Sequence, residues 1–331
     1  MLEQWVNQSW YGGFQWTRAF WPLMSLYRSV VDKKREAFLQ NPPDKVPLPV
    51  VVVGNITAGG TGKTPVVQTL VRKLLEEGYK PAIVTRGYGG SLQTFPHLIS
   101  EKDSPSSVGD EPYMMYSSLN IPVVVDPQRN RAAKFCCEES NLDVNVIICD
   151  DGLQHYALNR DIEFCVIDAQ REFGNGHLIP VGPLREPLSR LDSVDFVVRN
   201  GGSGEDGFKL QPTRWVNLKS GEEMPPRDLK AKLLSNKLKA VAGIGNPQRF
   251  FDTVVELGFD VESQAFPDHH DFSEQDFGAD SVYLMTQKDA VKVKSFSTDQ
   301  MWYLEVSAAL PETLLKEFIN KLSNIKGHTD G

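Results

Sequence analysis

Apolar residues in the first two-thirds of the chain fall into short, nearly continuous runs separated by longer amphipathic stretches. Residues 46–53, 82–85, 121–126, 144–149, 162–167 and 194–199 are rich in Val, Ile and Phe without alternation, the pattern of strands buried on both faces. Between them, residues 64–77 carry Val67, Leu70, Val71 and Leu74 at helical spacing, and 129–140 reads as another helix. Doubly buried strands alternating with helices predict an α/β protein with a mainly parallel sheet covered by helices on both sides.

The pattern breaks at "NGGSGEDG", residues 200–207, a Gly-rich acidic linker. Residues 208–235 then hold two short polar–apolar runs that fit a hairpin, a two-stranded link. From 236 to 331 a second, smaller α/β domain is expected: strands near 239–245, 261–266, 281–286 and 301–306, with helices at 248–258 and 312–322. Residues 41–207 form the larger domain in this reading, and 1–40 a separate N-terminal segment.

That segment holds four of the six tryptophans, Trp5, Trp10, Trp16 and Trp21. Pro22 suits a first helical turn, and Leu23, Leu26, Tyr27, Val30, Val31 and Phe38 recur at helical spacing after it. Arg18 and Arg28 interrupt the apolar run, leaving it short of the roughly 20 residues a bilayer span needs. The pattern fits an amphipathic helix lying in a membrane interface with tryptophans at headgroup level. A helix packed on the protein's own core satisfies it equally well.

Composition narrows the classes further. A net charge of -8 over 331 residues argues against a nucleic-acid partner, and any anionic ligand must be held by local positive groups. Cys136, Cys137, Cys149 and Cys165 lack the spacing of a zinc site or a disulfide framework, and no secretory signal opens the chain. No motif points to an obligate protein partner.

The densest chemistry lies in "VVVGNITAGGTGKTP", residues 51–65. Gly62, Lys63 and Thr64 match the end of a P-loop, Thr57 stands where the first glycine is usual, and Ala58, Gly59, Gly60 and Thr61 fill the loop. Backbone N–H groups at the head of the following helix would face the phosphates of ATP, with Lys63 neutralising oxygens and Thr64 ligating Mg2+. Such a site also takes a metal-holding carboxylate from a neighbouring strand end. "VNVIICDDGLQH" supplies Asp150 and Asp151, with His155 four residues on.

Further segments accompany these: "SVGDEPYM" at 107–114, "DPQRNRA" at 126–132, "HLIPVGPLREPLSR" at 177–190, "FPDHHDF" at 266–272 and "MTQKDAVK" at 285–292. With "GNITAGGTGKTP" and "DDGLQH", their order and wording closely resemble the tetraacyldisaccharide 4'-kinase family, the lipid A 4'-kinases of Gram-negative bacteria, from the N-terminal segment to about residue 292. The resemblance implies a P-loop NTPase-type sheet with a smaller domain on a two-stranded link. It implies transfer of the γ-phosphate of ATP to the 4'-hydroxyl of a lipid A disaccharide 1-phosphate, giving lipid IVA, at the cytoplasmic face of the bacterial inner membrane. Asp110 matches the family's catalytic base, with Glu111 beside it, and His269 the histidine that orients it; His270 is adjacent and leaves that pairing open. Arg185 and Arg129 are candidates for offsetting phosphoryl charge, and Lys288 belongs to a matching segment. An Asp-Glu-Pro triplet is, on its own, an ordinary helix start.

Two other readings share the P-loop. A membrane ATPase of the partitioning type carries an additional lysine early in the loop, where "NITAGG" has none. A non-catalytic nucleotide-binding regulator would leave Asp110, Asp150, Asp151 and His269 dispensable.

Overall fold

The computed structural model describes residues 2–139, 141–233 and 236–326. Two helices open the chain, α1 (Leu2–Tyr11) and α2 (Trp21–Gln40), joined through a 3-10 turn at Trp16–Phe20. The first sheet is then laid down by β1 (Val50–Gly54), α3 (Lys63–Glu76), β2 (Pro81–Thr85), β3 (His97–Leu98), α4 (Pro105–Val108), α5 (Asp110–Leu119), β4 (Val123–Val125), α6 (Arg129–Glu138), β5 (Val146–Asp150), β6 (Ile162–Asp168), β7 (Phe196–Asn200) and β8 (Gly207–Phe208). The second follows from β9 (Leu210–Asn217), β10 (Glu223–Met224), α7 (Leu229–Lys232), β11 (Leu238–Ala242), α8 (Pro247–Glu256), β12 (Glu262–Ala265), β13 (Val282–Thr286), α9 (Gln287–Val293), β14 (Met301–Ala308) and α10 (Glu312–Lys326).

The first sheet has eight strands in the order β3-β4-β2-β5-β1-β6-β7-β8, parallel except for β3. β1, β2, β5 and β6 are buried along their whole length, as their unbroken apolar runs require. One face is covered by α3 through Val66, Val67, Leu70, Val71 and Leu74, the other by α6 through Ala132, Ala133 and Cys136. β1 lies between β5 and β6, so the loop leaving β1 emerges at the sheet's centre, flanked by the ends of two neighbours.

The second sheet, β10-β9-β14-β13-β11-β12, is parallel from β14 to β12 and antiparallel at β9 and β10. Residues 200–207, which read as a linker, fold into a turn that lays β8 alongside β7. Within the segment expected as a hairpin link, β9 and β10 pair antiparallel as an edge of the second sheet, with the eight-residue β9 paired along β14.

α10 ends the described chain but does not cover the sheet that precedes it. Phe318 and Leu322 are fully buried in the core of the first sheet, and the Phe318 ring meets Phe164 edge-on at 5.3 Å.

α2 divides the apolar stripe in two. Met24, Tyr27 and Phe38 turn toward the body, Tyr27 donating its hydroxyl to the Arg185 carbonyl at 3.0 Å and Phe38 packing on Tyr156. Leu23, Leu26 and Val30 point away from it and are exposed.

Candidate active site

The loop from β1 to α3 is held open by specific contacts. Ala58 N–H donates to the Pro183 carbonyl at 2.7 Å, Arg185 N–H to that of Ile56 at 2.7 Å, and Thr57 bridges Leu184 as an antiparallel pair. The first position of the P-loop is therefore extended, a conformation that suits a β-branched residue, and Thr57 there is no defect. Gly62 needs to be glycine: its φ is +91°, and a Cβ would come within 2.6 Å of Asn200 Nδ2. Asn55, fully buried, donates to the Thr57 carbonyl at 2.8 Å and accepts from Lys63 Nζ at 3.3 Å.

β5 ends at Asp150, directly opposite Val53 of β1. The two adjacent carboxylates are treated very differently. Asp151 (φ +48°) turns back toward Lys63 at 3.4 Å and Arg185 at 3.3 Å. Burial works against its charge, but Lys63 and Arg185 outweigh it and hold the carboxyl below the usual range. Asp150 is buried and its Oδ1 has no partner. Burial, then Glu111 and Asp151, push it up to about 7. An orphaned carboxylate oxygen at a strand end beside a P-loop is the donor a hard cation takes, and the hydroxyl of Thr64 at the head of α3 is a compatible second ligand. No group of three or more His, Cys, Asp or Glu in ligating geometry occurs among the described residues. Mg2+ bound with phosphates needs only one or two protein oxygens.

Arg129, Arg185 and His155 line a pocket of about 410 Å³ beside the loop, with Arg86 and Tyr27. Arg129 donates to the carbonyls of Pro127 and Asp151. Burial, then Arg129, Arg160 and Arg86, lower the His155 pKa to about 4, so the ring is neutral at pH 7.

A second group forms where α5, packed on the first sheet, meets the loop after β12 and α9 of the second. Asp110 and Glu111 are the first residues of α5, after Gly109 whose φ is +99°. Asp110 Oδ2 lies 3.2 Å from His269 Nδ1 and 3.6 Å from Lys292 Nζ. His269 Nε2 faces Lys288 Nζ at 3.4 Å. An ammonium only donates, so Nε2 is the acceptor and Nδ1–H points at Asp110. Lys288 also pairs with Glu111 at 3.2 Å and Asp268 at 3.4 Å. Burial opposes its charge, but those carboxylates keep its pKa raised. His270 faces elsewhere, stacked on Phe266 at 4.6 Å between ring centroids and bonded to Asp276 at 3.4 Å.

The sequence-predicted residues thus collect in two groups: Lys63, Asp150, Asp151, Arg185, Arg129 and His155 around the loop, and Asp110, Glu111, His269 and Lys288 across the sheet-to-sheet contact. Gln154, Glu186 and Lys292 escaped the sequence reading. Gln154 donates to the Asn55 carbonyl at 2.9 Å and accepts from Arg185 at 3.4 Å, and the buried Glu186 takes Gln154 and the Tyr156 hydroxyl. Asp289, fully buried, accepts from Gly243 N–H at 3.1 Å and the Thr286 hydroxyl at 2.6 Å and pairs with Lys292. Gln154 and Glu186 sit inside the motifs "DDGLQH" and "GPLREP", and Lys292 lies one helical turn past Lys288; those adjacencies were the available signal.

A parallel sheet whose central strand feeds a glycine loop and lysine-headed helix, with a carboxylate on the adjoining strand end, defines a P-loop NTPase-type fold. The profile of the Tetraacyldisaccharide-1-P 4'-kinase family matches residues 16–324. A relative named tetraacyldisaccharide 4'-kinase from Vibrio cholerae serotype O1 is 44% identical over 336 residues, spanning 98% of this chain and 97% of its own. A relative of the same name from Legionella pneumophila is 42% identical, spanning 95% and 96%. The crystal structure of "apo" form LpxK from Aquifex aeolicus in complex with ATP superposes with a TM-score of 0.77 at 27% identity, over 92% of this chain and 99% of that one. The chain belongs to the tetraacyldisaccharide 4'-kinase family.

Proposed function

We propose that this protein transfers the γ-phosphate of ATP to the 4'-hydroxyl of tetraacyldisaccharide 1-phosphate, giving lipid IVA in lipid A synthesis. Family membership supports the reaction, and the ATP-bound relative from Aquifex aeolicus supports the donor. The observation that carries the mechanism is the Asp110–His269 pair, 3.2 Å apart, with the adjoining Glu111 near enough to Asp150 to help raise its pKa.

A sugar hydroxyl is a weak nucleophile, and Asp110 accepts its proton as phosphorus is attacked. His269 Nδ1–H fixes the carboxylate's orientation, and Lys288 fixes the tautomer of His269 from behind. Lys63 offsets charge on the β- and γ-oxygens, and Arg185, paired like Lys63 with Asp151, is a second positive group beside them. Mg2+ would supply charge neutralisation and alignment of the phosphates, held by Asp150 and Thr64. The three arginines of the adjoining pocket suit an acceptor that itself carries a phosphate.

The acceptor's acyl chains belong in a bilayer, and the protein meets it at the cytoplasmic face of the inner membrane. Trp5, Phe14, Phe20, Trp21, Leu23, Leu26 and Val30 are exposed on the N-terminal helices and the connection between them, in support of interfacial docking. No described helix is long and apolar enough to cross a membrane.

The deciding experiment incubates the purified protein with γ-labelled ATP, Mg2+ and the disaccharide 1-phosphate in detergent. A labelled lipid that comigrates with lipid IVA is expected. Label released only as inorganic phosphate would reject the kinase assignment in favour of an ATPase.

A further inference from the structure

On the β5 flank of the P-loop the cations nearest the loop are already engaged with its own residues and neighbours: Lys63 with Asn55 and Asp151, Arg185 with Asp151 and Gln154. The β6 flank differs. β6 ends at the buried Asp168, whose Oδ1 accepts the backbone N–H groups of Gln170 at 3.0 Å and Arg171 at 3.1 Å, fixing a turn beside the loop. The other carboxylate oxygen faces Arg249 of α8 at 3.7 Å. Arg171 is left over: among the described residues its guanidinium donates to no acceptor. It reaches back to the P-loop, and a Cβ at Gly59 would stand 3.8 Å from its Nη1.

What holds that guanidinium is the ring of Tyr11, 5.9 Å away at the C-terminal end of α1. The end of α1 is locked to the same turn. Asn175 N–H donates to the Trp10 carbonyl at 2.8 Å, and a Cβ on Gly174 (φ +55°) would come within 2.6 Å of that carbonyl and 3.1 Å of the Tyr11 ring. Aromatic contact aims an arginine without neutralising it, whereas a carboxylate would do both. Gly59 is exposed, with φ +102°, and forms the open lip of the cradle.

We propose that Arg171 is a further catalytic residue, an arginine supplied in cis that contacts the terminal phosphoryl oxygens of ATP, and that Tyr11 is the positioning residue that aims it. The proposal rests on the kinase reading. The acceptor oxygen forms its bond to the γ-phosphorus as the bond to the β,γ-bridging oxygen breaks. The hydroxyl proton goes to Asp110 and the electron pair leaves with ADP. Arg171 offsets the charge on the oxygens in flight, a role that arginines in other P-loop enzymes fill with rate effects of about 10³–10⁵. It follows that the first helix of the chain is coupled to phosphoryl transfer through one ring.

Two readouts test this. In the lipid kinase assay, Arg171→Ala should lower kcat by about 10²–10³ with KM for ATP changed less than about threefold, and Arg171→Lys should recover little of it. Tyr11→Leu should lower kcat about tenfold, with Tyr11→Phe, which keeps the ring, recovering most of the loss. The second readout needs no lipid: displacement of a fluorescent nucleotide by ATP and by ADP with aluminium fluoride, a mimic of the phosphoryl group in transfer. Arg171→Ala should weaken the aluminium fluoride complex at least about tenfold more than ATP. Equal weakening of both ligands, or kcat within about threefold of wild type, overturns the proposal. If wild type fails to phosphorylate the disaccharide, the kinase reading falls while the displacement result still judges Arg171. Should Arg171→Ala misfold, seen as loss of ATP binding and of the far-UV spectrum, Arg171→Gln in the same displacement assay decides.

Discussion

Residues of different motifs do different work here because their surroundings differ. Lys63 touches the loop and Asp151, whereas Asp110 touches His269 and Lys292 from another sheet. Lys63→Ala should therefore weaken ATP binding and turnover together. Asp110→Ala should cut kcat by about 10²–10⁴ with ATP affinity little changed, checked by parallel titration and single-turnover assay. Equal loss of ATP affinity in both variants contradicts the assignment of Asp110 as base. His155 gives a separate prediction about stability. Its pKa falls from the ordinary 6.5 to about 4, so between those values the unfolded chain binds a proton that the folded one refuses. Its contribution is present above pH 6.5 and fades as pH falls toward 4. Compared with His155→Gln by urea denaturation at pH 7.5 and 4.5, wild type should lose relative stability at the lower pH. An unchanged difference would mean that the ring is not held neutral.

At the scale of elements, legibility followed locality. β1, the loop and α3 were readable because one contiguous apolar run, one glycine with a steric need and one helical stripe specify them. The Asp110–His269 contact joins residues 159 apart, and no spacing rule predicts it; it was expected from the motif resemblance alone. Arg171 was missed because its signal is an Asx turn after β6, not a pattern of charges. α2 marks the boundary between the two cases. Its period was plain, but one stripe turned out to be two faces, Met24, Tyr27 and Phe38 inward and Leu23, Leu26 and Val30 outward. The outward face is exposed, so charge there should spare the fold. Leu26→Glu with Val30→Glu should reduce cosedimentation with anionic phospholipid vesicles about tenfold or more, at unchanged ATP affinity. Undiminished vesicle binding would move the docking surface to α1 and its tryptophans.

In the whole molecule, the two sheets are joined by more than the covalent chain. Ion pairs cross on both flanks of the P-loop, Arg249 to Asp168 on one and Lys288 to Glu111 on the other, beside the His269–Asp110 hydrogen bond, with Arg72 of α3 bonded to the buried Glu305 of β14. α10 adds an apolar tie. It departs from the end of β14 in the second sheet, yet Phe318 is fully buried against Phe164 and Phe196 of the first. Periodicity fixes which face of a helix is apolar but not which sheet it covers, so the sequence could not reveal this crossing. The consequence is cooperative unfolding. Phe318→Ala should destabilise by about 3–5 kcal/mol, the usual result of emptying a well-packed aromatic site. If α10 ties the two sheets into one unit, the loss should appear in both at once. Trp215 and Trp302 are buried in the second sheet and, with Trp5, Trp10, Trp16 and Trp21 replaced by Phe, report its unfolding by fluorescence, while nucleotide binding reports the first. In urea the two midpoints should coincide in wild type and shift down together in Phe318→Ala. A variant in which nucleotide binding is lost at lower urea while tryptophan emission keeps its original midpoint would show that the sheets unfold independently and that α10 stabilises only the first.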